Sequence, residues 1–371
     1  MLKREVFLAA ALVLLTELGC RMCSKDDAEG ESAASGSPLG SSSAAESRGL
    51  NAPGNDPAVV ELAKGALGCE WGSAGLKYSC KPAQAWAKSE IMKDGKTDST
   101  LVAMLEDARA PVRWLGAKSL IQNGRRYTQE AALAQRVIAA AQTETDLVVG
   151  PPLGAAVGRI NVTKTRLKSE VETLISSHSL TKLRTALVER GQTSNREALF
   201  DSVATLAKDD PEASVRRAAI DALWIGTPSG RKHDACQVWL DRMSSDSSDE
   251  VAGKAAYLLL YAPRGQCRQQ WDAALSVVEA RAASGTAKDG NWGSCLTYFY
   301  KQKQASSAQK SRSLSIAKQL VENTDNSGVA RSRAITFVGR KDPDGKNYVT
   351  KFKEDDDYLV TSVVERILGI R

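Results

Sequence analysis

The stretch DDPEASVRRAAIDALW, from Asp209 to Trp224, constrains the fold more than any other part of the chain. Its acids and proline are helix-start chemistry: negative charge near the positive end of a helix dipole, and a proline where no amide bond is lost. Beyond them Val215, Ala218, Ala219, Ala222 and Leu223 fall on one side of a helix. So small a face cannot make a core alone, so it must press against other helices of its own kind. The signature does recur. Val215, Ala219 and Leu223, at i, i+4 and i+8, are matched by Val112, Gly116 and Leu120, by Val251, Ala255 and Leu259, and by Val360, Val364 and Leu368. Val329, Ala334 and Phe337 form a looser copy.

The spacing turns these helices into a series. Val215 to Val251 is 36 residues and Val329 to Val360 is 31. The longer gaps divide into similar steps, filled by weaker helices at Val148, Leu180 and Trp292. Other amphipathic segments precede these helices, at Leu101–Leu105, Ala131–Ala141, Leu167–Ile175, Ala198–Ala207, Val238–Met243, Trp271–Val278 and Leu314–Leu320. Helix pairs repeating about every 31–41 residues predict an all-α alpha-solenoid, in which stacked neighbours supply the burial. Composition agrees, with only 5% aromatic and 25% charged residues and many alanines and leucines.

The order of acid, turn, Val-Arg and spaced Ala and Leu resembles HEAT repeats, including the HEAT-like type of phycobilisome lyases. The resemblance covers residues 98–369 and is sharpest at Asp107–Leu120 and Asp210–Leu223. It implies a right-handed alpha-solenoid of about seven to eight helical hairpins with a concave surface that binds another protein. It also implies an Asp–Arg ladder between neighbouring repeats, carried here by Asp107, Arg113, Asp210 and Arg216. Val251 is followed by Ala252, so the ladder is expected to break there. Residues 57–97 would cap the start of a repeat region spanning 98–371, and the acidic KEDDDY segment with the last helix would cap its end.

At the N-terminus, Lys3 and Arg4 precede an apolar run from Val6 to Leu15. That run is too short for a stable bilayer span and suits a signal-peptide core, residues 1–19. Leu18-Gly19-Cys20 resembles the bacterial lipobox, although Glu17 stands where that motif carries an apolar residue. The resemblance implies lipidation of Cys20 and anchoring in the cell envelope, with Arg21 favouring the outer membrane; an ordinary secretory signal cut nearby is the alternative. Residues 20–56, rich in Ser, Gly and Ala, read as a disordered tether. The other cysteines suit an oxidising compartment. Cys69 and Cys80 are expected to pair, since no histidine lies near and the spacing is not that of a zinc knuckle. Of Cys236, Cys267 and Cys295, the pair Cys236–Cys267 is preferred, Cys267–Cys295 comes second, and Cys23 or Cys295 is left over.

Catalytic patterns are missing from the sequence: it has no G-x-S-x-G, no H-E-x-x-H and no phosphate-cradling glycine loop. The two histidines, His178 and His233, stand more than one repeat apart. KDPDGKN, residues 341–347, lacks the ligand series of a calcium loop. A net charge of +6 is too small and too evenly spread to imply nucleic acid. Trp114, Trp224, Trp239 and Trp271 read as core residues, any that reach the concave face being contact anchors. Bases gather in the C-terminal third, from Lys301 to Lys341; a solvated face is the plain reading and a patch for an anionic partner the other. The expectation is therefore a membrane-tethered, non-enzymatic, protein-binding scaffold with no cofactor, metal or small-molecule substrate. Alternatives are a lyase-related or cofactor-handling protein and a mechanical part of the envelope.

Overall fold

The computed structural model describes residues 49–370, Tyr78 excepted. The expected signal segment, Cys20, and the tether through residue 48 lie outside the described residues. Among the described residues the chain is all-α apart from one short strand pair, and no helix is long and apolar enough to cross a membrane.

Helix α1 (Pro57–Leu67) starts on Asp56, whose carboxylate accepts the Ala58 and Val59 amides, with proline at its first position. Strands β1 (Trp71–Gly72) and β2 (Gly75–Leu76) then pair antiparallel, and α2 (Lys81–Lys88) follows. The Cys69–Cys80 disulfide closes this loop. Gly75, at φ +97°, lies so near Trp114 that a β-carbon there would sit 2.4 Å from the indole.

The ordered region begins earlier than composition predicts. Residues 49–56, assigned above to the disordered tether, are folded onto the first helices. Leu50 is 1% exposed. Its amide donates to Asp107 Oδ2 at 3.0 Å, and the Asp56 amide donates to Thr100 Oγ1 at 2.8 Å. Asn55 Nδ2 donates to the Gly49 and Leu50 carbonyls. A composition average cannot register one leucine whose docking site is built by residues half a hundred positions away.

Helix pairs follow. They are α3 (Asp98–Met104) with α4 (Ala110–Asn123), then α5 (Ala131–Thr143) with α6 (Gly150–Gly158). After the single turn α7 (Val162–Thr165) come α8 (Lys168–Ser177) with α9 (Thr181–Asn195), α10 (Phe200–Asp209) with α11 (Ala213–Gly226), and α12 (Lys232–Ser245) with α13 (Asp249–Tyr261). The last are α14 (Trp271–Ser284) with α15 (Asn291–Tyr300), α16 (Ser307–Glu322) with α17 (Gly328–Lys341), and α18 (Gly345–Thr350) with α19 (Tyr358–Leu368). Each second helix packs on the next second helix in unbroken succession from α4 through α6, α9, α11, α13, α15 and α17 to α19. First helices pack likewise from α3 to α16. The Cys236–Cys267 disulfide links α12 to the segment entering α14.

Burial corrects the repeat register at three points. Val329 is exposed, and the inward stripe of α17 is Ala330, Ala334 and Val338. On α6 the stripe is Val149, Leu153 and Val157 rather than one begun at Val148, and on α9 it starts at Leu183, not Leu180. A slip of one residue turns a side chain through about 100°, and neither that nor the three-residue slip on α9 much alters a repeat spacing near three dozen, so spacing alone could not find them. KDPDGKN proves to be the turn into α18: Asp342 accepts the Asp344 amide at 2.9 Å and the Lys318 ammonium at 2.6 Å.

Small residues let neighbouring backbones meet. A β-carbon on Gly154 would lie 2.2 Å from the Leu183 carbonyl oxygen, and one on Gly158 would lie 2.7 Å from that of Leu187. Gly154→Ala should therefore force α6 and α9 apart and cost about 1–3 kcal/mol. Gly230→Ala, where a β-carbon meets nothing within 4 Å, should change stability by less than about 0.5 kcal/mol. Chemical denaturation of the two variants side by side checks this.

Candidate binding surface

Of the polar residues that the sequence marks out, Arg113, Asp210 and Arg216 each join one hairpin to a neighbour, and Asp107 does not. Arg113 Nε and Nη2 bind Glu144 Oε2 and Oε1 at 2.8 and 3.0 Å, while Nη1 donates to the Asp107 and Ala108 carbonyls. Arg216 repeats the arrangement: its fork binds Asp246 at 2.7 and 2.8 Å and Nη1 donates to the Asp210 and Pro211 carbonyls. Thus the carboxylates of Asp107 and Asp210 are not the partners of the arginines six residues later. Each arginine holds the backbone of its own turn and reaches with its fork to the acid of the next hairpin.

Asp210 is instead gripped by Arg184 at 2.6 and 3.1 Å, and Arg331 grips Asp355 in the same two-pronged way. Asp107, in the first of the helix pairs, takes the Arg109 side chain and the amides of Leu50 and Arg109. The sequence reading missed Arg184, Glu144, Asp246, Arg331 and Asp355. A usable signal existed, because each acid stands six residues before the residue that follows an inward anchor: Glu144 before Gly150, Asp246 before Ala252, Asp355 before Thr361. Each also accepts the amide two residues on, as Asp246 does from Ser248 at 2.9 Å.

Where rungs are missing, other devices replace them. The arginine position holds Gly150, Ala252 and Gly293 in the second, fifth and sixth hairpins. A β-carbon on Gly293 would lie 2.4 Å from the Ala330 carbonyl oxygen, so there backbone contact joins the hairpins. Beside Ala252, Asp249 accepts the Lys288 and Asp289 amides and Trp292 Nε1 at 2.9, 2.5 and 2.9 Å. His178 occupies the acid position of the third hairpin, and its Nδ1 accepts the Leu180 amide at 3.0 Å. His233 Nδ1 meets Gln270 Nε2 at 3.2 Å, far from His178 in the order of hairpins. Among the described residues no three His, Cys, Asp or Glu side chains gather as a metal site. Cys295 is a buried free thiol, pushed up by burial.

One face of the second-helix series remains open, and aromatic residues collect on it. Trp224 on α11 lies 5.3 Å, centroid to centroid, from Tyr261 on α13. Tyr261 and Tyr257 stack at 5.5 Å, and Tyr298 on α15 meets both edge-on at 5.0 and 5.3 Å. Trp114, Trp239 and Trp271 are buried as expected for core residues, but Trp224 is only half-buried. Beside it Ile225 is 53% exposed and Tyr261 39% exposed. Cations flank the rings, with Lys254 Nζ 5.7 Å from the Tyr257 centroid and Lys301 Nζ 5.1 Å from that of Tyr298. Burial and the neighbouring Tyr298 push the Tyr257 phenol up, so it stays protonated. Nearer the helix starts the same face is lined by the pairs Arg217–Glu250 and Asp221–Lys254.

No family model, curated protein or solved structure matches this chain.

The rungs carry a pH signature. Burial alone would raise the Asp355 carboxyl, but the Arg331 hydrogen bonds, the Asp357 amide and the guanidinium charge together hold it below its ordinary value. A carboxylate depressed by folding adds stability above its unfolded pKa and loses it as pH falls through the folded value. Asp355→Asn should cost about 3–5 kcal/mol at neutral pH by leaving Arg331 buried without its ion-pair partner. It should also flatten the loss of stability below about pH 4. Denaturation midpoints from neutral pH down to about pH 2.5 test both; an unchanged acid slope would contradict the assignment.

Proposed function

We propose that this chain is a HEAT-like alpha-solenoid that serves as a non-enzymatic scaffold, binding another protein through the open face of its second-helix series. The carrying observation is the cluster of Trp224, Tyr257, Tyr261 and Tyr298, spread over three adjacent hairpins and left partly exposed. Aromatic side chains offer large rigid contact area at low entropic cost, and they dominate interface energies. The unbroken succession of second helices and the arginine rungs between turns support the solenoid reading. Polar groups in the turns are engaged in holding the stack, which leaves the aromatic face as the best-supplied surface for recognition.

The scaffold is read as extracytoplasmic and lipid-anchored through Cys20. That reading rests on the basic and apolar start of the sequence and on the Leu18-Gly19-Cys20 ending. The two disulfides lend weak support, because such bonds persist in oxidising compartments.

A photo-crosslinking residue placed at Tyr261 should yield a discrete protein adduct in the producing cell, and one at Gln237, on the first-helix series, should not. Ile225→Asp should weaken capture by about thirty-fold or more, the effect of losing a contact worth about 2 kcal/mol. Adducts that form equally at both positions would defeat the proposal. Intact mass measurement of the mature chain should show an acylated N-terminal Cys20.

A further inference from the structure

We infer that the open face takes an extended acidic segment of a partner protein, with an apolar anchor on the aromatic cluster and carboxylates on a cationic end formed by Lys301, Arg333 and Arg340. This rests on the scaffold reading above and specifies its ligand.

Ring contacts set the geometry. Trp224 meets Tyr261 and Tyr261 meets Tyr298, while Tyr300 meets Phe337 at 5.5 Å. The C-terminal turns of α11, α13, α15 and α17 are therefore level with one another. A band runs across these four helices, from Trp224 and Ile225 through Tyr261 and Tyr298 to Lys301 and Arg340. With axes about 8–10 Å apart, three steps span roughly 25–30 Å. An extended chain rising about 3.3 Å per residue crosses that distance in about eight residues.

Charge along the band is one-sided at its far end. On α11 and α13 the cations are answered, Arg217 by Glu250 and Lys254 by Asp221. Acids then stop: neither α15, NWGSCLTYFY, nor α17, GVARSRAITFVGRK, contains one. Lys301, Arg333 and Arg340 are exposed and make no ion pair among the described residues. Arg333 sits at the seam of the two helices, its β-carbon near Gly293. Lys254 and Lys301 already lie over the Tyr257 and Tyr298 rings, so a cationic side chain approaching them would meet like charge. An acidic segment meets attraction instead, at a site where rim charges raise the association rate and fix direction.

The probe is a fluorescein-labelled eight-residue peptide with Phe-Leu at one end, Gly-Ser-Gly in the middle and Glu-Glu-Glu at the other, made in both chain directions. Anisotropy should detect binding of one direction that weakens with salt, and no binding of the counterpart with lysines for glutamates. Tyr261→Ala and the pair Arg333→Glu with Arg340→Glu should each weaken it at least ten-fold while thermal unfolding stays unchanged. Equal binding of the lysine peptide, or indifference to the charge reversal, would overturn the inference. So would charge-dependent binding of phosphatidylglycerol vesicles with no peptide binding. If the Tyr261 adduct persists in the Arg333→Glu, Arg340→Glu chain, the scaffold reading stands and this inference falls; if no adduct forms in the unaltered chain, both fall.

Discussion

Among the described residues each second helix packs on the second helix of the next hairpin, and much else depends on how closely two such helices can approach. Anchors such as Val112, Val215 and Val251 are fully buried on faces that mix leucines with alanine and glycine. Small side chains give up apolar area individually but let backbones come together, so dispersion contacts are gained along the whole seam. The turn polar groups left beside such a seam then need partners, because an unmet buried amide or carbonyl is costly.

Two of the devices that meet that need exclude each other at one position. An arginine directly after the anchor, as at Arg113, Arg184, Arg216 and Arg331, bridges to the next turn with a two-pronged ion pair. A glycine at that position, as at Gly293, brings the next helix into backbone contact and leaves no room for a guanidinium. The rungs are buried, Arg184 and Asp210 being nearly closed off from water. Their worth lies less in net stability than in fixing which turn faces which, since removing either partner strands a charge.

The same organisation leaves one face of the second-helix series without a covering layer. Trp224, Tyr257 and Tyr298 are half-buried and Tyr261 is exposed. Stacking in a row is what makes them available together, because each ring comes from a helix whose inner side is already occupied. The disulfide between α12 and the entry to α14 lies on the opposite, first-helix side and braces the hairpins that carry the cluster.

Much of this was legible in the sequence. Helix pairs, their approximate spacing and a preference for the Cys69–Cys80 and Cys236–Cys267 pairings come from local pattern, and the HEAT-like resemblance pointed to Asp107, Arg113, Asp210 and Arg216 as ladder residues. What local pattern could not supply was partnership. The sequence places Arg113 in a ladder without naming its partner, which is Glu144, 31 residues on. Leu50 looks like part of a solvated tether until Asp107 offers its carboxylate. The cluster of Trp224, Tyr257, Tyr261 and Tyr298 has no motif at all, since its members come from three hairpins and meet only when those hairpins stack. The sequence by itself determined the helices and their small inward faces, because periodicity and propensity act over neighbouring residues. Only the tertiary structure decided the register of each face, the partner of each arginine and the rings that share a surface, because those depend on contacts between residues two dozen or more positions apart.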